Sequence, residues 1–245
     1  MRDFFARLYS IYAGVLFLIS FLLIYPFFLL CIWIPGWDRA GRKATQYWAR
    51  VYFTLIFLPV KKEMHAKIEK GKPYLFLPNH FSYLDIAMMG YTPTEIMYVG
   101  KASIRKAPLF GYYFKKLHIA VERTKTSSRV ETMRRAGVAL DNKTSVVLFP
   151  EGGIYTENPP QMVPFKNGAF RLSIKKQIPI IPVTISYNHI ILPEGPKLLL
   201  YWHPAKLVYH KEILPGPEDT EETLKKKCFD VIQNQLRLDQ ANENR

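Results

Sequence analysis

The chain has 245 residues, a net charge of +14, and 49% hydrophobic residues. This length suits one catalytic domain with an appendage, and the composition excludes a disordered or low-complexity chain. The positive charge predicts attraction to a polyanion, which leaves nucleic acid, an anionic bilayer and a phosphorylated substrate as candidates.

An apolar run near the N-terminus favours the membrane. Residues 8–35 carry no charged side chain, and basic residues stand on both sides of the run. As one helix the run would be roughly 42 Å long, against a hydrocarbon layer of about 30 Å. Pro26 is expected to kink or end that helix. Because positive charge at both ends indicates a common cytoplasmic side, we predict a re-entrant or interfacial arrangement in one leaflet. A single crossing and a buried core helix are the alternatives.

The next segment, residues 40–59, has a different pattern. Arg42 and Arg50 interleave with apolar side chains such as Val51 and Leu55, which predicts an amphipathic helix lying on the membrane surface. Residues 1–59 are therefore interpreted as membrane-anchoring helices, and they explain the basic excess without nucleic acid. The aromatic belt expected at headgroup depth is supplied by Trp33, Trp37, Tyr47 and Trp48.

Residues 60–245 are interpreted as the catalytic domain, because strand-like and helix-like runs alternate there. This alternation predicts an α/β fold with a mostly parallel sheet flanked by helices. The predicted strands are Tyr74–Leu77, Ile96–Val99, Ile119–Val121, Ser145–Phe149 and Ile178–Ile185. The predicted helices are Ser82–Gly90, Pro108–Leu117, Ser127–Leu140, Phe165–Lys176 and a C-terminal helix at 218–238.

A histidine and an aspartate follow the first of these strands. His80 and Asp85 would point about 140° apart on one regular helix, so they can meet only if His80 precedes the helix and Asp85 lies in its first turns. Pro78 and Ser82 favour that arrangement, because Pro78 ends the strand and Ser82 can cap the helix. Asp85 would then fix the imidazole tautomer and leave the other ring nitrogen as a general base.

Other strand ends also carry polar groups. Glu151, Gly152 and Gly153 follow the strand at 145–149, and the amide groups of the glycines could bind an anion or an oxyanion. The ends of parallel strands meet at one edge of a sheet, so these groups should share a rim with His80. The basic members of this rim are Lys101, Arg123 and Lys166.

Four ordered blocks between about residues 60 and 187 resemble the glycerolipid acyltransferase family, and within it the bacterial 1-acylglycerol-3-phosphate acyltransferases. NHFSYLD matches the first family motif, and KASIRKAPLFG followed by AVER is similar to the second. LFPEGG matches the start of the third, and IPIIPVTI resembles the fourth. The resemblance implies a lipid-metabolising transferase at the cytoplasmic face of a bacterial inner membrane.

The resemblance also implies roles for residues. His80 would deprotonate the acceptor hydroxyl and Asp85 would orient it, while Lys101 and Arg123 would bind the acceptor phosphate. The remaining residues assigned to substrate binding are Asn79, Ser82, Glu151, Gly152, Gly153 and Lys166. The acyl donor would be a thioester on coenzyme A or on acyl carrier protein. Neither a cofactor nor a metal is implied, and the oligomeric state is left open.

One departure from the family pattern concerns the acceptor. The third motif usually continues Glu-Gly-Thr-Arg, whereas this chain has Gly153 and Ile154 in place of Thr and Arg. The acceptor implied by the family is the sn-2 hydroxyl of lysophosphatidic acid, which gives phosphatidic acid. Lys166 could replace the missing cation, or the acceptor could be another lysolipid such as a lyso-aminolipid.

Three other classes of protein share some of these sequence features. A non-catalytic lipid-binding protein explains the apolar run and the charge, but not a His–Asp pair at a strand end. A nucleic-acid-binding protein explains the charge alone. A lipase or esterase would need a serine on a Gly-x-Ser-x-Gly turn, and the sequence contains no such turn.

Overall fold

The computed structural model describes residues 1–122, 125–195 and 197–243. The helices are α1 (Arg2–Trp33), α2 (Asp38–Leu55), α3 (Leu84–Met88), α4 (Phe110–Leu117), α5 (Thr126–Asp141), α6 (Gly168–Lys176), α7 (Asn188–Ile191) and α8 (Glu221–Glu243). The strands are β1 (Val60–Met64), β2 (Leu75–Pro78), β3 (Ile96–Lys101), β4 (Ile119–Val121), β5 (Ser145–Val147), β6 (Ile180–Ser186) and β7 (Ala205–Tyr209). Short 3₁₀ turns follow α3 at Met89–Tyr91 and β3 at Ala102–Lys106.

The strands form one sheet of seven in the order β1-β7-β6-β2-β5-β3-β4. All neighbouring strands are parallel except β6 and β7. The prediction of a mostly parallel sheet flanked by helices is therefore confirmed. Each of the five predicted strands is present, because central strands buried on both faces appear in the sequence as continuous apolar runs.

The sequence interpretation missed β1 and β7. The edge strand β1 reads Val-Lys-Lys-Glu-Met and buries none of its residues fully, so it offers no apolar run. Charged side chains are common on edge strands because they discourage pairing with other chains. In β7, Lys206 interrupts the run, and its ammonium forms ion pairs with Glu63 and Asp239.

Helices cover both faces of the sheet. Side chains alternate along β2, so Phe76 packs into one core and Leu75 and Leu77 into the other. The first core includes the buried sides of α1, α2 and α4, and the second includes α5, α6 and α8. The carboxyl ends of the central parallel strands lie between these two helix layers.

Helix α1 runs without interruption from Arg2 to Trp33, so Pro26 does not end it. Proline removes one backbone hydrogen bond, but the neighbouring turns are held by tertiary packing. Phe21 contacts Trp48 of α2 at 5.5 Å between ring centres, and Phe28 lies 4.4 Å from Tyr113 of α4. These aromatic contacts fall on both sides of Pro26 and keep the two halves of the helix together.

Helix α2 returns antiparallel along α1. The Tyr52 hydroxyl donates to the Ala13 carbonyl at 3.1 Å, and the Trp48 indole donates to Ser20 at 3.0 Å. The opposite face of α1 is exposed, and its most apolar window is only 17% buried. Among the described helices, α1 alone is long and apolar enough to cross a membrane. Its exposed face includes Phe4, Phe5, Leu8, Ile11, Val15, Leu18, Leu22, Leu23, Leu30 and Trp33.

The arginines of α2 contact the protein itself, and the placement of α2 on a membrane surface stays a prediction. Arg50 donates to the carbonyls of Gly90 and Thr92, at 2.8 and 2.9 Å. Arg42 is buried and contacts Glu95 at 2.6 Å, and Arg39 contacts the other oxygen of Glu95 at 2.6 Å. Trp48 is also buried, whereas Trp33, Trp37 and Tyr47 remain exposed as expected of an aromatic belt.

The Arg42–Glu95 pair generates a stability prediction. Glu95→Leu leaves Arg42 buried without its main partner, and removing one member of a buried ion pair costs roughly 3–5 kcal/mol. We expect a clearly lower unfolding midpoint for the detergent-solubilised variant. Glu131→Ala is the matched control, because the Glu131–Arg134 pair is solvent-exposed and should leave the midpoint unchanged. Equal midpoints for both variants would show that the buried pair does not hold α2 to the sheet.

Candidate active site

The candidate site lies where the central strand β2 ends between β5 and β6. His80 follows β2, Glu151 follows β5, and Asn188 follows β6. Parallel strands bring their carboxyl ends to the same edge of a sheet, so these residues converge although they are far apart in sequence. Lys101 ends β3, farther along the same edge.

The predicted turn-then-helix arrangement of His80 and Asp85 is present. Asp85 lies in the first turn of α3, and its Oδ2 is 3.0 Å from Nδ1 of His80. The same oxygen accepts hydrogen bonds from the backbone N–H groups of Phe81 and Ser82, at 2.7 and 2.8 Å. Asp85 is completely buried and His80 is 5% exposed.

This geometry defines the histidine tautomer. A carboxylate can only accept, so Nδ1 of His80 carries the proton that Asp85 receives. Nε2 is then the unprotonated nitrogen, and no hydrogen-bond partner for it occurs in the part of the chain that the structure describes. The imidazole ring stacks on Phe149, with ring centres 4.0 Å apart and planes 25° apart. The pair can therefore accept a proton at one fixed position.

Glu151 lies beneath the histidine loop. Its Oε1 accepts the backbone N–H of His80 at 2.7 Å, and its Oε2 accepts the N–H of Val163 at 3.4 Å. The side chain is 1% exposed, and burial raises its pKa from 4.5 to about 8. Glu151 thus connects the loop after β5 to the loop that carries His80.

Asn79 and Ser82 are also engaged with the protein. The Asn79 amide donates to the Ile185 carbonyl at 3.0 Å and accepts the Ile185 N–H at 2.8 Å, which joins the ends of β2 and β6. The Ser82 hydroxyl donates to the Leu192 carbonyl at 2.8 Å and accepts the N–H of Leu84 at 3.2 Å. Both side chains are buried, so their contacts hold the loop around His80 in shape. Their assignment to substrate binding stays a prediction.

The glycine pair and Lys166 form a second part of the site. Gly152 has a φ of +81°, and a Cβ at this position would collide with the end of the Lys166 side chain. The positive φ favours glycine in this turn, and any larger residue would also displace the end of the Lys166 side chain. The Gly152 N–H donates to the Phe149 carbonyl at 3.0 Å, so it is not free to bind an oxyanion. Gly153 has no such backbone partner within the described ranges.

The three basic residues differ in what the structure says of them. The Lys166 ammonium lies against Gly152 and 5.4 Å from the centre of the Tyr155 ring. No carboxylate pairs with Lys166 in the ranges 1–122, 125–195 and 197–243. Lys101 is exposed and stands opposite Val121 in the β3–β4 register. Arg123 lies outside the described residues.

Two residues of the site escaped the sequence interpretation. Phe149 supplies the surface on which the imidazole stacks, and Asn188 donates to Oδ1 of Asp85 at 2.8 Å. Asn188 carried a usable signal, because it is a polar residue two positions after the buried strand β6. Phe149 carried none, since an apolar residue at a strand end resembles any core position.

Among the described residues, no group of three or more His, Cys, Asp or Glu side chains is placed to hold a metal ion. The expectation that the reaction uses no metal ion stays a prediction.

Comparison with known proteins decides the family. Residues 59–186, more than half of the chain, match the family model described as Acyltransferase. The chain belongs to the acyltransferase family. The matched segment begins just before β1 and ends with β6, so the family region carries His80, Asp85, Glu151 and Lys166, and Asn188 falls just beyond it.

Individual relatives agree with this assignment. A 1-acyl-sn-glycerol-3-phosphate acyltransferase of Saccharomyces cerevisiae is 33% identical over 161 residues, which cover 64% of this chain and 53% of the relative. A chloroplastic enzyme of the same description from Brassica napus is 26% identical over 80% of this chain and 56% of its own length. A lyso-ornithine lipid O-acyltransferase of Rhizobium meliloti is 28% identical over 84% of this chain and 67% of its own length. The chain spans little more than half the length of most curated relatives it matches.

A solved structure shares the fold. The crystal structure of the 1-acyl-sn-glycerophosphate acyltransferase PlsC from Thermotoga maritima superposes with a TM-score of 0.79 over 98% of both chains, at 21% identity. The acyltransferase fold of this chain, including its long N-terminal helix, is therefore shared over nearly the whole length.

The raised pKa of Glu151 predicts a pH dependence of stability. Between pH 4.5 and about pH 8, the Glu151 carboxyl group of the folded protein keeps a proton that the same group has lost in the unfolded chain. The folded state then binds more protons, so its stability falls as pH rises through this window. We expect Glu151→Gln to remove this contribution. The unfolding midpoint of the variant, measured relative to wild type, should rise between about pH 5 and about pH 8.

The exposed Glu157 in the same loop supplies the control. Glu157→Gln should keep the wild-type pH dependence. If Glu151→Gln follows the wild-type curve at every pH, Glu151 is ionised in the folded protein.

Proposed function

We propose that this protein transfers a fatty acyl group from an acyl thioester to a lysophospholipid hydroxyl, with lysophosphatidic acid as the acceptor and phosphatidic acid as the product. The observation that carries the proposal is the buried His80–Asp85 pair at the carboxyl edge of the sheet, in which Nε2 of His80 has no hydrogen-bond partner among the described residues. Membership of the acyltransferase family supports it. The reaction would serve phospholipid biosynthesis.

The chemistry follows from the tautomer. Nε2 of His80 takes the proton of the acceptor hydroxyl as its oxygen attacks the thioester carbonyl carbon. A carbon–oxygen bond forms, the carbon–sulfur bond breaks, and the proton passes from Nε2 to the leaving thiolate. Asp85 stabilises the imidazolium between these steps, as the carboxylate does in a Ser-His-Asp triad. Because the base is a side chain, the proposal assigns no role to a metal or other cofactor.

The acceptor phosphate requires cations near His80. Lys166 supports this part of the proposal, because its ammonium lies at the Gly152 turn without a carboxylate partner among the described residues. Lys101 and Arg123 are proposed to complete the phosphate site, as the family pattern implies. A lysine binds phosphate as a point charge, so Lys166 would take over from the arginine that usually follows the third motif.

The placement of α1 supports a membrane location for the reaction. Near its start, Tyr201 donates to Asp3 at 3.1 Å, and the Leu200 N–H donates to Ser10 at 2.7 Å. At its other end, Trp33 donates to Tyr112 at 3.3 Å. Because both ends are bound to the same catalytic domain, we propose that α1 lies in one leaflet with its exposed face in lipid. The cytoplasmic face of a bacterial inner membrane is the proposed location.

A second acceptor class has a specific observation in its favour. The relative from Rhizobium meliloti acts on a lyso-ornithine lipid, and this chain lacks the arginine that usually follows the third motif. A lyso-aminolipid acceptor would leave the His80 chemistry unchanged and would need no phosphate site. The donor carrier is equally open to test, since coenzyme A and acyl carrier protein present the same thioester.

Acyl transfer by the detergent-purified protein tests the proposal. Radiolabelled acyl-CoA and acyl carrier protein thioesters are each offered with lysophosphatidic acid and with a lyso-aminolipid. We expect phosphatidic acid formation that falls about 10²- to 10⁴-fold in His80→Ala, the usual contribution of a general base. Asp85→Asn should lose activity on the same scale, because it favours the wrong tautomer.

The outcomes separate the alternatives. Transfer to the aminolipid alone keeps the mechanism and changes the acceptor. Wild-type turnover in His80→Ala contradicts the mechanism. Absence of transfer from either donor to either acceptor favours a non-catalytic lipid-binding protein.

The role of Lys166 gives a separate prediction. Lys166→Ala should raise the KM for lysophosphatidic acid by about 10- to 100-fold, since a hydrogen bond to a charged group contributes roughly 1.5–3 kcal/mol. The KM for a lyso-aminolipid should not change. Lys175→Ala is the control, because Lys175 is an exposed cation at the far end of α6. Equal KM values for lysophosphatidic acid in both variants would remove Lys166 from the phosphate site.

A further inference from the structure

Asn188 stands at the point where the chain leaves β6. It is the first residue of α7, and the preceding Tyr187 has a φ of +75°, a left-handed conformation that turns the chain sharply after the strand. The Asn188 side chain is 1% exposed. A buried polar side chain needs a partner, and the partner of Asn188 is the Asp85 carboxylate at 2.8 Å.

The hydrogen bonds of Asp85 are distributed unequally between its oxygens. Oδ2 accepts from His80 and from the N–H groups of Phe81 and Ser82, all within residues 80–82. Oδ1 accepts from Asn188, its single partner in the described chain. Donors that converge on one oxygen allow the carboxylate to pivot about that oxygen. The Asn188 bond sets its plane, and with it the direction of the lone pair that faces His80.

The orientation of the Asn188 amide is fixed by charge. Its Nδ2 faces the carboxylate, and its Oδ1 is buried with no hydrogen-bond partner in the described part of the chain. Turning the amide over would place the carbonyl oxygen against the Asp85 carboxylate, which only accepts. The protein therefore tolerates a buried carbonyl without a partner in order to present a donor to Asp85.

The groups around this contact add no competing charge. Burial lowers the pKa of His189, which follows Asn188, and raises the pKa of Glu151. Both shifts favour the neutral form near pH 7, so neither His189 nor Glu151 places a charge beside the contact of Asn188 with Asp85. A neutral donor at Oδ1 holds the carboxylate without cancelling the charge that His80 needs when it becomes an imidazolium.

We infer that Asn188 is a positioning residue for acyl transfer, which holds Oδ1 of Asp85 so that Oδ2 receives the Nδ1 proton of His80. The inference rests on the proposed function. Asn188 contacts no reacting atom, and it lies outside residues 59–186 that match the family model. Through Asn188, the segment after β6 would take part in the reaction in addition to packing α7 against the domain.

Two substitutions separate positioning from packing. Asn188→Ala removes both the donor and the volume, whereas Asn188→Leu keeps a branched side chain of similar shape and removes only the donor. We expect both to lower kcat by about 10²-fold, the scale of a small misplacement of catalytic groups. The KM values for donor and acceptor should stay close to wild type, because Asn188 is buried away from both.

Ser186→Ala is the matched control. Ser186 is also buried at the end of β6, but its hydroxyl donates to Asp239 rather than to the catalytic pair. We expect this variant to lose stability while it keeps kcat. If Asn188 has only a packing role, Asn188→Leu should keep the wild-type kcat. Only Asn188→Ala should then lose kcat, in parallel with a lower unfolding midpoint. That result would overturn the inference.

A spectroscopic measurement tests the inference independently of activity. Nitrogen-15 shifts of the His80 imidazole, assigned by comparison with His80→Ala, report which ring nitrogen carries the proton. We expect the Nδ1–H tautomer in wild type and a measurable fraction of the Nε2–H tautomer in Asn188→Leu. An unchanged tautomer in a folded Leu variant would overturn the inference. If wild type transfers no acyl group, the proposed function fails, and the tautomer measurement still decides the role of Asn188.

Discussion

The need to satisfy one buried carboxylate organises the site. Asp85 has no contact with solvent, and a charge removed from water is tolerated only with several hydrogen-bond donors around it. No single segment of the chain supplies them all. The loop after β2 provides donors to one oxygen, and the segment after β6 provides the donor to the other. The strand order, with β2 between β5 and β6, is what brings these segments together.

The same edge of the sheet surrounds its two buried carboxyl groups with different sets of donors. Asp85 accepts four hydrogen bonds, whereas Glu151 accepts two, and burial raises the pKa of Glu151 to about 8. Burial therefore favours the neutral form of Glu151 near pH 7, while the carboxyl group that contacts the His80 imidazole is the one with the larger set of donors. A neutral Glu151 also avoids a second negative charge beside the place proposed for an anionic acceptor.

Much of the fold could be predicted from the sequence because burial leaves a pattern. The central strands are buried on both faces and read as apolar runs, whereas β1 exposes most of its side chains and leaves no pattern. Pro26 does not end α1, and the partners of the α2 arginines could not be predicted, for the same reason. A local rule describes an isolated helix, but α1 is held by aromatic contacts with α2 and α4, and the arginines of α2 by Glu95 and backbone carbonyls.

The candidate site could also be predicted only in part from the sequence. Spacing and turn residues were sufficient for His80 and Asp85, since both lie in one continuous segment. Asn188 reaches Asp85 from 103 positions away in sequence, and only the register of β2 with β6 connects them. The backbone contacts of Asn79 and Ser82 could not be predicted either, because a side chain that binds backbone groups has the same sequence signal as one that binds substrate.

The surface around α1 links the anchor to the chemistry. Tyr112 of α4 is exposed and contacts Trp33, and Leu109 lies beside it with its carbonyl 3.5 Å from the Tyr25 hydroxyl. These apolar groups extend the face of α1 towards the turn that follows β3, where Lys101 stands at the active edge. A lipid acceptor could therefore keep its acyl chain in the bilayer while its headgroup reaches the cations at this edge. In the proposed arrangement, α1 would both hold the protein at a membrane and set the depth at which the acceptor hydroxyl meets His80.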